Sequence, residues 1–235
     1  MKISLLTDIP SPYQVEILNE IARDEENSLQ VVYLRPRDPS RHWKPVSILH
    51  EFVSLSDAPS QLNEARTRMQ DADLVVFNYY RHPLAAMLIE ERAKLNQPWC
   101  FWGERPGLRG PEWAGRLFRR QKLRWLHSST APIWGIGKFA LSTYRSEFGP
   151  ARQYFNLPYF SNLQRFSDSA HSRNGTTDRT FLFSGSLIPR KGVDLLAKAF
   201  VRLRTEGHAA KVKIVGDGPL RRSLERTLGA VESSV

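Results

Sequence analysis

The chain has 235 residues, of which 41% are hydrophobic and 25% charged, and carries a formal net charge of +10. This balance excludes a disordered or collagen-like chain and allows one large or two small domains around a sizeable core. No run approaches the ~20 apolar residues of a membrane span, Asp8 cuts the N-terminal apolar run too early for a signal-peptide core, and a lone Cys100 excludes an internal disulfide, so a cytoplasmic chain is expected.

In chain order, KISLLTD reads as a buried first strand leading into SPYQVEILNEIA. There Ser11 is placed to cap a helix, Pro12 fits its first position, Gln14 completes a capping box, and Val15, Leu18 and Ala22 form the stripe. Further strands are predicted at LQVVYL, EFVSLS, DLVVFN, PWCFWG and IWGIG, with a helix from Pro83 to Asn96. Alternating strands and helices predict an α/β fold around a parallel sheet. Gly149-Pro150 and the Ser/Asn/Asp/Gly-rich stretch from Ser161 to Asp178 are breakers, and the second reads as a crossover between domains. The pattern then restarts with strand RTFLFSG, a helix from Val193 to Arg204 carrying Val193, Leu196, Phe200 and Leu203, strand KVKIVG, and a helix opened by Pro219 with Leu220, Leu224 and Leu228. The expected organisation is therefore a domain over 1–160, a crossover over 161–178, and over 179–235 the incomplete start of a second domain.

The stretch SGSLIPRKGVDLLAKAF sets Arg190 and Lys191 at the mouth of a predicted helix, where the dipole disfavours cations. An anion held on the amides near Gly192 would account for both charges; a solvated loop pair is the alternative. In IVGDGPLRRSLE, Gly216 and Gly218 follow a strand and suit close approach of a phosphate or ribose to the backbone. The net positive charge favours an anionic partner of this kind, or acidic lipid headgroups or nucleic acid. RPGLRGPEWAGRLFRRQKLRWLH mixes cations with Trp113, Leu117, Phe118, Trp125 and Leu126. It suits either peripheral contact with an anionic membrane at its inner face or a helix with a solvated basic side.

Together, FLFSGSLIPRKGVDLLAKAF and VKIVGDGPLRRSLERTL, following YFNLPYFSNLQRF, resemble the group 1, glycogen-synthase-like retaining glycosyltransferases, which have a two-domain GT-B fold. The resemblance extends through DADLVVFNYYRHPLAAMLIEERAKLNQPWCFWG and IWGIGKFALSTYRSEFG. It implies a GT-B-like chain whose Rossmann-like N-terminal domain takes the acceptor and whose second Rossmann-like domain takes a nucleotide diphosphate sugar. Residues 190 and 191 are then the pair that grips the donor diphosphate, with Gly185, Ser186, Gly192, Gly216, Asp217 and Gly218 around the donor. Glu104 falls where the family places an acidic or histidine residue, so Arg190, Lys191 and Glu104 form the expected catalytic set; an ion-pair role for Glu104 with Arg105 or Arg109 is the alternative. Ser11, Tyr13, Gln14, Asn78, Tyr79 and Tyr80 are expected at the acceptor. The family's Glu-x7-Glu segment would lie beyond residue 235.

Several sharper motifs fail. WGIGKF lacks a P-loop's first glycine at Pro132 and its Ser/Thr at Phe139. Arg221 stands where a dinucleotide fingerprint needs its third glycine. Scattered histidines give no metal spacing, and no nucleic-acid motif is present. The expected reaction is transfer of a hexose from a nucleotide diphosphate sugar to a hydroxyl acceptor with retention, needing no further cofactor and no metal. A non-catalytic acceptor- or anion-binding fragment and an NAD(P)-dependent oxidoreductase are the alternatives.

Overall fold

The computed structural model describes all residues except 40, 42, 44–45, 56–58, 107–110, 165–166, 168–179 and 233–235. It divides into two compact units, Met1–Leu163 and Gln164–Val235. Most of the crossover expected over 161–178 lies outside the described residues.

The first unit is built on seven strands: β1 (Lys2–Thr7), β2 (Ser28–Tyr33), β3 (Glu51–Ser54), β4 (Leu74–Phe77), β5 (Trp99–Gly103), β6 (Ile133–Gly135) and β7 (Tyr154–Asn156). All pair in parallel, in the order β3-β2-β1-β4-β5-β6-β7. Runs such as LVVF and WCFWG are apolar throughout because a central parallel strand is covered on both faces. On one face, Leu6, Val75, Phe77 and Phe101 pack with α2 (Pro59–Gln70), α3 (Pro83–Lys94), α5 (Arg124–His127) and α6 (Lys138–Phe148) through Met69, Leu88, Leu126 and Tyr144. On the other, Leu5, Val31, Val76 and Trp102 pack with Leu18 of α1 (Pro12–Ile21). An open apolar cavity of about 680 Å³ lies against β4–β7, lined by Leu74, Trp99, Cys100, Trp134, Phe155 and Leu157. Its one titratable group, the Cys100 thiol, is pushed up by burial.

The topology positions the site. Successive strands step outward from β1 to β3, then the chain returns to the other side of β1 and builds β4 to β7, so the order reverses between β1 and β4. At such a switch point the connections leave in opposite directions and open a crevice beyond the strands' carboxyl ends.

The structure corrects several local expectations. Strand and helix ends differ from the sequence reading by at most two residues, and α2 and β7 are additional elements. Ser11 is the N-cap of α1 with Pro12 in the first turn, but its side chain does not cap the backbone. Instead Ser11 Oγ donates to Gln14 Oε1 at 2.8 Å, so both side chains of the expected capping box point into a polar cluster.

The second unit contains β8 (Thr180–Ser184), a single 3-10 turn (Pro189–Lys191), α7 (Val193–Thr205), β9 (Lys211–Val215) and α8 (Arg221–Glu232). Strands β8 and β9 are parallel, in register from Thr180–Lys211 to Ser184–Val215. Leu187, Val193, Ala197 and Leu224 are buried, with Phe183, Ile214, Leu220 and Leu228 packed around them. Ala197 thus joins Val193 at the centre of the α7 stripe, whereas Leu196, Phe200 and Leu203 are half-buried. Pro219 stands in the turn before α8 rather than opening it.

Candidate functional site

At the switch point of the first unit, Thr7 ends β1 and Asn78 follows β4. Thr7 Oγ1 donates to Asn78 Oδ1 at 2.9 Å, bridging the two strands. Gln14 Nε2 donates to the same oxygen at 2.7 Å, and Asn78 Nδ2 donates to the Trp102 carbonyl at 2.8 Å, tying β5 to the cluster. Thr7, Ser11 and Gln14 are all buried, so these polar atoms must be satisfied internally, and the mutual bonds hold each amide in one orientation. Gln14 Nε2 also reaches the Tyr159 hydroxyl, at 3.5 Å.

Tyr159 brings the last segment of the first unit over this cluster. Its ring lies 4.5 Å from that of Tyr13 and 5.5 Å from that of Trp102. Burial raises its phenol pKa, and the neighbouring Glu104 charge raises it further. Exposed Glu104 makes no ion pair with Arg105 among the described residues, while Arg109 lies outside them. The backbone carbonyl of Glu104 is held by Tyr144, whose hydroxyl donates to it at 2.5 Å. Asp8, one residue past β1, is clamped by Arg35, with Nε to Oδ1 at 2.8 Å and Nη2 to Oδ2 at 2.6 Å. Half-buried Tyr79 has its phenol raised by burial and by the Asp8 charge.

The first unit therefore brings Ser11, Gln14 and Asn78 into one hydrogen-bonded cluster, with Tyr13 and Glu104 around Tyr159. Tyr80 is placed differently: its ring packs 6.0 Å from Phe101 in the apolar cluster on the helix-covered face. Sequence reasoning missed Thr7, Arg35, Tyr159 and the exposed Trp43, whose ring meets Tyr13 at 6.3 Å. Thr7 had a legible signal, as a polar residue closing an apolar strand. Tyr159 had none, being 145 residues from the glutamine it meets.

In the second unit the loops after β8 and β9 lie against each other at the carboxyl end of the pair. Gly185 N donates to the Val215 carbonyl at 2.9 Å and Leu187 N to the Asp217 carbonyl at 2.8 Å. The approach is close enough to require glycine: a Cβ at Gly216 would sit 1.9 Å from the Gly185 carbonyl oxygen, and one at Gly218 would sit 2.7 Å from that of Leu187. The 3-10 turn carries Arg190 and Lys191, both exposed, and ends at Gly192 in the left-handed region with φ 68°. Gly192 is also the N-cap of α7, and having no side chain it leaves the first-turn amides uncapped. Asp194 stands in that first turn, with Oδ1 buried and lacking a hydrogen-bond partner. The Asp217 carboxylate accepts from its neighbour Gly218 N at 2.8 Å and faces Arg221 at 3.9 Å, so it serves its own turn.

Residues 164–233 match the family model for glycosyl transferases group 1. A GDP-mannose-dependent alpha-(1-6)-phosphatidylinositol monomannoside mannosyltransferase of Mycolicibacterium smegmatis is 29% identical over 133 residues, 52% of this chain and 35% of that protein. A GDP-mannose-dependent monoacylated alpha-(1-6)-phosphatidylinositol monomannoside mannosyltransferase of Corynebacterium glutamicum is 30% identical over 125 residues, 49% of this chain and 33% of that protein. The match thus spans about a third of each relative's own length. Among solved structures, HepE of Anabaena in complex with UDP covers all of this chain and 67% of its own, with a TM-score of 0.65 at 12% identity. Sucrose-phosphate synthase of Thermosynechococcus elongatus covers 99% of this chain and 67% of its own, with a TM-score of 0.56 at 13% identity. At these identities the two structures speak to fold alone.

Proposed function

The chain belongs to the group 1 glycosyltransferases of GT-B fold, and from that premise we propose that it moves a hexose, with retention, from a nucleotide diphosphate sugar to a hydroxyl acceptor. The observation that carries this reading is the pair of glycine loops in the second unit, packed backbone to backbone beside two exposed cations and an uncapped helix start. A diphosphate is the ligand chemistry such a place suits: the amides can donate to its oxygens, and Arg190, Lys191 and Arg221 outweigh the carboxylates of Asp194 and Asp217. As the sugar–phosphate bond breaks, negative charge grows on the departing diphosphate, so cations fixed there stabilise the transition state more than the ground state.

In the first unit, the buried Thr7–Gln14–Asn78 cluster braces the switch point, the Tyr13 and Tyr159 rings beside it supply an aromatic surface suited to an acceptor, and exposed Glu104 orients the acceptor hydroxyl. With retention the new bond forms on the face that the diphosphate leaves, and the acceptor proton passes to the leaving phosphate oxygen. No covalent nucleophile is then needed.

The mannosyltransferases' names set GDP-mannose as the donor to try first, and UDP-glucose, with which HepE of Anabaena also forms a complex, as the second. Lys191→Ala is expected to lower transfer by about 100-fold, the scale of losing one preorganised donor of positive charge. Wild-type turnover in a correctly folded variant would remove the reading. A second reading, anion binding without transfer, is favoured by the thin core of the second unit, with Leu182 66% exposed and Val215 47% exposed. Nucleotide binding by the 235-residue chain with no turnover on either donor would select it.

A further inference from the structure

Helix α4 (Glu112–Lys122) is mounted inside out. An ordinary surface helix turns its apolar stripe to the core and its charges to water. Here the side chain packed inward is Arg119, 8% exposed, whose Nε donates to both carboxylate oxygens of buried Glu147 at 3.0 and 2.8 Å. Gly115, one turn earlier, leaves room for that guanidinium: a Cβ there would lie 3.2 Å from Arg119 Nη1.

The outward side carries Trp113, 70% exposed, and Leu117, 65% exposed, four residues apart and so one above the other, with Phe118, 45% exposed, beside them. Isolated exposed apolar residues are ordinary, but a stripe over successive turns of one helix marks a contact surface. The inward Arg119–Glu147 pair fixes the rotation of the helix, because turning the stripe inward would carry Arg119 out and leave the Glu147 carboxylate buried and alone.

We propose that α4 seats this protein on an anionic lipid surface. Exposed Arg116, Arg120 and Lys122 flank the stripe, and exposed Arg124 follows it. A second copy of the chain would set these cations against their own kind, whereas acidic headgroups complement them. Trp113 suits the headgroup boundary, where its ring is apolar and its N–H meets water. Eleven residues make a helix about 16 Å long, too short to cross and suited to lying in the interface plane. This inference stands apart from the transferase reading, since neither the donor loops nor turnover enters it.

Vesicle sedimentation tests it with the intact chain. Binding is expected to phosphatidylcholine vesicles containing one-third phosphatidylglycerol, and not to phosphatidylcholine alone. Trp113→Ser/Leu117→Ser and Arg116→Gln/Arg120→Gln/Lys122→Gln are each expected to weaken the partition tenfold or more, as loss of the apolar insert or of about three surface charges should. Circular dichroism confirms that each variant retains its fold. Wild-type partition of both folded variants would overturn the proposal, as would no sedimentation on anionic vesicles at low salt. So would a self-associated chain that the Trp113/Leu117 substitutions return to monomer while vesicle binding is unchanged, since the stripe would then belong to a second copy.

Discussion

The buried imidazole of His50 shows how one residue can set the response of the fold to acid. Its Nδ1 lies 2.7 Å from Asn19 Oδ1 and its Nε2 lies 2.9 Å from the Tyr33 hydroxyl. Asn19 Oδ1 also accepts from Leu49 N, so Nδ1 is the protonated nitrogen and Nε2 accepts from Tyr33. A second proton on Nε2 would face the hydroxyl of a tyrosine with no solvent exposure, and burial lowers the His50 pKa from 6.5 to about 4. Between these values the unfolded chain binds a proton that the folded chain refuses. Stability from this group is therefore whole at neutral pH, falls as pH drops below 6.5, and is fully lost below about 4. From pH 7 to 4.5 the wild type is expected to lose about 2 kcal/mol more than His50→Gln, measured by urea unfolding at both pH values. Parallel losses would show that His50 titrates normally in the fold.

Among the elements, the least regular junctions are held by a buried cation. Arg92 of α3 donates through Nη1 to the carbonyls of Met69 and Ala72 at 3.1 and 2.9 Å, and through Nη2 to those of Asp73 and Pro98 at 3.3 and 2.7 Å. One guanidinium thus closes the end of α2 and the entries to β4 and β5, and positive charge is favoured where the helix dipole is negative. Arg92→Leu would remove one donor from each of four carbonyls, with Pro98 keeping its bond from Val75 N, around a side chain only 3% exposed, and is expected to destabilise the fold by about 3 kcal/mol or more, read from the urea midpoint. An unchanged midpoint would mean that water replaces the side chain.

This junction also marks where the sequence stopped being legible. Strands β4 and β5 announce themselves because a doubly covered strand must be apolar throughout, and β1, β2, β3 and β6 show through shorter apolar and β-branched runs. Helix α2 does not, since among the described side chains of PSQLNEARTRMQ only Ala65 and Met69 are buried, among polar neighbours. Strand β7 is three residues long and partly exposed, too short for a pattern. The two glycine loops after β8 and β9 and the cations beside them were legible because glycine and charge act locally. The Thr7–Gln14–Asn78–Tyr159 cluster was readable only in part, because its bonds span up to 145 residues. The Ser11–Gln14 spacing was even misleading: it pairs two side chains inside that cluster rather than capping α1.

At the scale of the whole molecule, the two units differ in how much they bury, and the difference predicts how they respond to a ligand. The first unit has central strands with Val31, Val32, Val75 and Phe77 wholly covered; the second buries Leu187, Val193, Ala197 and Leu224 and leaves β8 largely exposed. Opening free energy follows buried apolar contact, so the amides of β8 and β9 are expected to exchange with deuterium well before those of β2 and β4. A nucleotide diphosphate held by the Gly185, Gly192 and Gly216 loops binds the folded second unit and not its opened form. At a concentration 100 times its dissociation constant it should add about 2.7 kcal/mol to that unit's opening, slowing exchange there about 100-fold. The β2 and β4 amides should not change. Peptide-resolved exchange with and without GDP or UDP reads both units in one experiment. If protection appeared instead around Thr7 and Asn78, the nucleotide would belong to the switch point of the seven-stranded sheet, and the two halves of the proposed chemistry would have to be exchanged.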